Sequence, residues 1–177
     1  MPNPVTPAEI KAAIRNVTDF PRPGIQFKDI TPVLADARLF AGAIDLLTER
    51  FKPGTIDAVV GIDARGFIFA AAAAIKLHAG FVPVRKKGKL PYQNIEQDFA
   101  LEYGQATVAM HIDALKPGAR VLLIDDLLAT GGTSAAATAL VQKLGGNIVE
   151  AGFLIELKFL NGREKLSGFP VRSLIAY

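Results

Sequence analysis

An α/β fold with a parallel central sheet and helices on both of its faces is predicted for this 177-residue chain by three observations. A strand, turn, helix succession occurs twice, in "IDAVVGI-DARG-FIFAAAAAIKLH" and in "VLLIDDLLATGGTSAA" (Val121 to Ala136). The strand runs are β-branched and continuously apolar, the mark of strands buried on both faces. Glycine and proline turns separate these units, with no repeat array and no low-complexity segment, so one globular domain spanning residues 1–177 is expected.

Taken in order, Thr6-Pro7-Ala8-Glu9 reads as a capping box with proline at the first helical position, opening a helix to about Val17. A second helix is expected from Asp36, with Leu39, Phe40, Ala43, Ile44, Leu47 and Phe51 at helical spacing and a stop at Lys52-Pro53-Gly54. The proline-rich stretch between them, "DFPRPGIQFKDITPVL", predicts an ordered loop. "FVPV" predicts a short strand. The polar segment "RKKGKLPYQNIEQDFALEYG" has no clean period and reads as a long loop of the lid or binding type. "TVAMHI" alternates like the returning arm of a hairpin. After Val121 to Ala136 the helix places Ala136, Leu140, Val141 and Leu144 inward and ends at Gly145-Gly146, and "NIVEAGFLIEL" supplies a further strand.

Composition narrows the chemistry. The chain has no cysteine and two separated histidines, which excludes disulfides, thiolate catalysis and a cysteine or histidine metal cluster. A net charge of +3 is modest for this length, and no aromatic residues interleave with the dense basic cluster Arg85, Lys86, Lys87 and Lys89, so nucleic acid is not an expected partner. That cluster reads either as a solvated loop or as a phosphate-binding loop. The N-terminus lacks a secretory pattern and no apolar run is long enough to span a bilayer, so a cytoplasmic location away from membranes is expected.

Two stretches carry chemistry. Glycines ahead of a helix let backbone N–H groups wrap an anion, while Thr and Ser hydroxyls add donors, so Ala129, Thr130, Gly131, Gly132 and Thr133 suit a phosphate monoester; an ordinary tight turn is the plainer alternative. Asp125 and Asp126 fall at the carboxyl end of the preceding strand, where open α/β sheets bind ligands. Two carboxylates cannot read a phosphate. They suit sugar hydroxyls, a cation developing in the substrate, or Mg²⁺ through water, and otherwise a solvated strand end. Gly61 to Gly66 has the glycine spacing of a nucleotide-binding P-loop, but Phe67 stands where its lysine is required, and no G-x-G-x-x-G occurs.

"VLLIDDLLATGGTSAA" resembles the phosphoribosyl-pyrophosphate (PRPP) motif of the type I phosphoribosyltransferase family. "DFPRPGIQFKDITPVL", "GIDARGFIFA", "VPVRKKGKLP" and "LEYG", in that order, resemble the adenine-specific members over essentially the whole chain. The resemblance implies a mostly parallel sheet flanked by helices, a small hood contributed by residues 1–35, a flexible loop at 86–105, and a homodimer. It implies transfer of phosphoribosyl from PRPP to adenine, giving AMP and pyrophosphate, with Mg²⁺ carried by PRPP and water rather than by protein ligands. Position by position, Ala129 to Thr133 match the 5′-phosphate loop, and Asp125 and Asp126 the acids at the ribose hydroxyls. Asp63, Ala64 and Arg65 match the pyrophosphate loop, in which the family often has a non-proline cis peptide, and Arg85 and Lys89 match cations on the same side. Glu102 matches the acidic residue placed near the adenine imidazole, Tyr103 follows it in the flexible loop, and Gln26, Phe27 and Lys28 match the adenine pocket. Lys28 stands where arginine is common, Gln26 where an apolar residue is frequent, and Ala70 where glycine often occurs. A 6-oxopurine base, or a ligand-sensing regulator on the same fold, are the competing readings.

Overall fold

In the computed structural model, residues 3–101 and 104–177 are described, and the chain divides into two compact units, residues 1–46 and 47–177.

In the N-terminal unit the capping box forms as the sequence predicts. Glu9 N–H donates to Thr6 Oγ1 at 3.3 Å and Thr6 N–H donates to Glu9 Oε2 at 2.9 Å, opening α1 (Pro7–Ala13). The helix ends at Ala13, short of Val17. Arg15–Thr18 instead forms β1, which pairs antiparallel with β2 (Gln26–Asp29); Asn16, Val17 and Thr18 are weak helix formers, and the ladder satisfies their backbone groups. The segment expected to be an irregular loop therefore contains β2 and also α2 (Thr31–Ala35), which carries Pro32 in its first turn, where a missing N–H costs nothing. α3 (Ala37–Thr48) starts on Asp36, whose Oδ1 accepts from the N–H groups of Arg38 and Leu39 at 2.9 and 3.0 Å. It stops at Thr48, before Phe51. Ile10, Ile30, Val33 and Ala43 are buried.

The C-terminal unit follows the strand and helix alternation. Its elements are β3 (Ala58–Ile62), α4 (Gly66–Leu77), β4 (Gly80–Lys86), β5 (Asn94–Leu101), β6 (Gly104–His111), β7 (Arg120–Leu128), α5 (Gly132–Lys143), β8 (Asn147–Glu156) and β9 (Val171–Ala176). The sheet order is β5-β6-β4-β3-β7-β8-β9. β4, β3, β7, β8 and β9 are parallel, and β5 and β6 form an antiparallel edge. Alternation sorts the two faces. Ala58, Val60, Ile62, Val121 and Leu123 pack with Ala136, Ala137, Leu140 and Val141 of α5. Gly61 faces the other way, where a Cβ would lie 2.7 Å from that of Ala70 on α4. Helices thus cover both faces, and each fully buried valine or leucine contributes about 1.5–3 kcal/mol of apolar burial.

Two readings change. The stretch after Arg85 that lacks a period includes β5, whose Ile95 and Phe99 pack on the core with Gln97 on the same face, while Glu96 and Asp98 between them face outward. Its pairing partner is β6, the hairpin arm that the alternation of "TVAMHI" predicts. The second is β9, which the sequence reading passed over; it extends the parallel sheet beside β8. Among the described residues no helix is long and apolar enough to cross a membrane.

Candidate active site

β3 and β7 run side by side in parallel with Gly61 opposite Ile124, so the residues just beyond those positions emerge together at the carboxyl end of the sheet. From β3 come Asp63, Ala64 and Arg65, with a cis peptide bond between Asp63 and Ala64. From β7 come Asp125 and Asp126. Gly66, the first residue of α4, lies against Asp125; a Cβ there would stand 2.5 Å from Asp125 Oδ1 and 3.2 Å from its Cα. Arg65 reaches across, with Nη2 2.7 Å from Asp126 Oδ2, and Asp126 N–H donates to Asp125 Oδ1 at 2.9 Å.

Both carboxylates are buried, at 9% and 6% relative exposure. Burial pushes Asp125 well above the usual carboxylate range, and the neighbouring charge of Asp126 pushes it further. Burial also raises Asp126, with the Arg65 guanidinium opposing the rise. Two acids held this close, under one arginine, titrate as a pair.

Past Leu128 the chain turns through Ala129 and Thr130 to Gly131, whose φ of 76° is left-handed and suits glycine. Gly131 occupies the N-cap and offers no side chain to cap α5, so the N–H groups of the first turn are left for a ligand. They border a cavity of about 70 Å³ lined by Asp125, Leu127 and residues 129–134. The structure therefore brings Asp125 and Ala129 to Thr133 to one small chamber. It adds Ser134, a residue the sequence reading did not single out, although its hydroxyl position in "TGGTS" was a legible signal.

On the other side of Asp63, Arg85 at the end of β4 donates from Nε to Asp63 Oδ2 at 3.1 Å and from Nη1 to the Lys89 carbonyl at 3.2 Å. A cavity of about 370 Å³ beside them is lined by Asp63, Lys86, Lys87, Phe99 and Thr133, among others. Lys86 and Lys87 were visible in the basic cluster but not assigned to the site. Lys87 Nζ is paired with Glu96 Oε2 at 2.7 Å.

Gln26, Phe27 and Lys28 lie on β2 of the N-terminal unit. Lys28 Nζ donates to Asn16 Oδ1 across the hairpin at 2.6 Å, and the Phe27 ring meets Phe20 edge to face at 5.0 Å. Gln26 is exposed. Glu102 and Tyr103 lie outside the described residues.

In the C-terminal unit this arrangement offers an anion cradle at one end, a carboxylate pair beside it, and guanidinium groups at the other. Such a line of groups matches a phosphorylated sugar that carries a second anionic substituent. The phosphoribosyl transferase domain family matches residues 28–167, and an adenine phosphoribosyltransferase from Acidothermus cellulolyticus is 55% identical over 166 residues, covering 94% of each chain. The chain belongs to the adenine phosphoribosyltransferase family. Solved members agree in fold. The adenine phosphoribosyltransferase from Rhodothermus marinus superposes with a TM-score of 0.92 at 53% identity, over 97% of this chain and 98% of that one. The Saccharomyces cerevisiae enzyme, solved with adenine and an imino-altritol bisphosphate, gives 0.90 at 41% identity, over 95% and 97%. The phosphoribosyltransferase fold expected from the sequence is the fold observed.

Proposed function

We propose that this protein is a purine salvage enzyme that transfers phosphoribosyl from PRPP to adenine, giving AMP and pyrophosphate. The observation that carries the reading is the uncapped N-terminus of α5 opening on the same chamber as Asp125, with Arg65 placed across Asp126. Ala129 to Thr133 would hold the 5′-phosphate through backbone N–H groups and hydroxyls, and Asp125 and Asp126 would meet the ribose hydroxyls. Asp63, Ala64, Arg65, Arg85 and Lys89 are assigned to the pyrophosphate, and Gln26, Phe27 and Lys28 to adenine.

In the reaction the bond between ribose C1 and the pyrophosphate oxygen breaks, pyrophosphate departs with the electron pair, and the adenine N9 lone pair forms the new bond. Positive charge grows on the sugar and negative charge on the leaving group. Cations on the pyrophosphate side favour departure, and carboxylates beside the ribose do not oppose oxocarbenium character. Glu102 is proposed to take up or relay the imidazole proton of adenine. The segment 86–105, which β5 anchors to the sheet, is proposed to shield the site and limit attack by water on the sugar.

The donor set suits Mg²⁺ that arrives on the substrate. Among the described residues no three acidic or histidine side chains converge on one point, and Asp126 is engaged by Arg65, while Asp125 and Asp63 each line a cavity of the candidate site and would meet a hydrated cation through water. When bound, the ion would neutralise pyrophosphate oxygens. A homodimer in the cytoplasm completes the reading, with its mass to be measured by light scattering.

The decisive experiment is a base panel with PRPP, run with and without Mg²⁺. Adenine is expected to be used at least about tenfold more efficiently than hypoxanthine or guanine. Equal or reversed efficiencies would reject the assignment of the base, and no turnover of any base would point to a regulator on the same fold.

A further inference from the structure

A segment far along the chain packs against the backbone of the loop that lines the chamber. Gly162 opens a short 3-10 turn, Gly162–Lys165, and lies so close to the phosphate loop that a Cβ on it would stand 2.1 Å from the Ala129 carbonyl oxygen and 2.8 Å from the Gly131 nitrogen. The contact is reciprocal, since a Cβ on Gly131 would meet the Gly162 carbonyl oxygen at 2.2 Å. Backbone here touches backbone, with no side chain between to absorb an error in position.

What fixes Gly162 is its neighbour. Arg163 grips Glu156 with both sides of its fork, Nε to Oε1 at 3.0 Å and Nη2 to Oε2 at 2.5 Å, and donates from Nη1 to the Val171 carbonyl at 2.5 Å. Ser173 Oγ donates to Glu156 Oε2 at 2.5 Å. Glu156 is the last residue of β8 and is buried. It pairs with Leu128 in the sheet, the residue just before the phosphate loop, and with Ala176 on the other side. A bidentate arginine to carboxylate pair is directional as well as strong. The sheet, the pair and the 3-10 turn thus close a rigid circuit from Leu128 through Glu156, Arg163 and Gly162 back to Ala129 and Gly131.

We propose that Glu156, Gly162 and Arg163 are positioning residues for the 5′-phosphate: they set the Ala129 to Gly131 backbone so that its N–H groups and those of α5 converge on the phosphate. The inference rests on reading that loop as the phosphate cradle. None of the three needs to touch substrate. Their influence falls on the phosphate end of the ligand and spares the pyrophosphate end, which is held by residues after β3 and β4.

The test uses the full-length protein with R163Q, which removes the fork, and G162A, which leaves the ion pair intact and adds only the clashing methyl. The φ of Gly162 is not left-handed, so alanine at this position strains the contact rather than its own backbone. Both variants are expected to raise the KM for PRPP by about tenfold or more while the KM for adenine moves less than about twofold. Calorimetric titration should show ribose 5-phosphate weakened by a comparable factor and inorganic pyrophosphate unchanged. A variant that melts earlier yet keeps the wild-type KM for PRPP and affinity for ribose 5-phosphate would reduce the clamp to a structural contact and overturn the proposal. Equal weakening of pyrophosphate would also overturn it. Should R163Q not fold, G162A decides alone. Wild-type protein that binds no ribose 5-phosphate overturns the cradle and the clamp together, whereas binding without adenine turnover sinks only the proposed reaction.

Discussion

Arg65 Nη2 lies 2.7 Å from Asp126 Oδ2, so the turn after β3 and the end of β7 are tied by an ion pair inside the site itself. Asp126 is buried and Arg65 about one third exposed, which makes the arginine the group that offsets the burial of the acid. Arg65 also stands in the segment proposed to meet pyrophosphate, and on that proposal one guanidinium would serve both the acid pair and the leaving group.

Arg65→Ala should therefore affect catalysis more than the fold. Losing a charged hydrogen bond to an anion is worth about 1.5–3 kcal/mol, which predicts a fall in kcat/KM for PRPP of about tenfold to a hundredfold. Asp126, without its guanidinium, should titrate still higher. Steady-state kinetics and a circular dichroism spectrum check both parts. Unchanged kinetics would remove Arg65 from the site.

Asp125→Asn should separate stability from activity. Burial raises the folded-state pKa of Asp125 above its unfolded value near 3.9, so the folded protein binds that proton more tightly than the unfolded chain. The resulting contribution to stability is complete below about pH 3.9 and is lost as pH rises through the raised folded value. Asparagine does not titrate, and its Oδ1 can still accept from Asp126 N–H. The variant should gain on wild type as pH rises, because it escapes the cost of ionising the buried carboxylate, and lose activity. Urea midpoints for both proteins at pH 4 and pH 8 read this directly. A difference that does not change with pH would mean that the carboxylate carries no ionisation cost.

Much of this site was legible because its signals are local. The glycines of Gly131-Gly132 and the acids at Asp125-Asp126 declare themselves within one strand, loop and helix, and the periodicity of α5 and β7 places them. β2, β5 and β9 were harder, since each is short or polar and gains its strand character from a partner elsewhere, Arg15–Thr18, Gly104–His111 and β8 respectively. α1 was overrun for the same reason, because pairing took Arg15 to Thr18 out of the helix. Gly162 and Arg163 could not be found from spacing at all. Their meaning lies in contacts to Ala129 and Glu156, which only the folded chain brings together.

Glu102→Gln keeps size and hydrogen bonding but removes the carboxylate proposed to handle the adenine proton. General base loss of this kind costs about 10²–10⁴ in kcat. The KM for PRPP and the melting temperature should stay near wild type, which distinguishes a role at the base from one in holding the sugar phosphate. Full turnover in the variant would show that the family role does not transfer to this position.

Gly66→Ala tests the tight approach of α4 to β7. Its Cβ would fall 2.5 Å from Asp125 Oδ1 and 3.2 Å from Asp125 Cα, so rotating the carboxylate away cannot by itself relieve the crowding; the backbone of β7 or the start of α4 must also give. Overpacking of this kind costs about 1–3 kcal/mol. The displaced acid would no longer share the chamber with the α5 N-terminus as it does now, and kcat/KM for PRPP should drop by about tenfold or more. The double variant Gly66→Ala with Asp125→Asn separates the two effects. If the methyl acts by moving Asp125, its kinetic penalty should largely vanish once the carboxylate is already gone, and penalties that simply multiply would place the damage elsewhere.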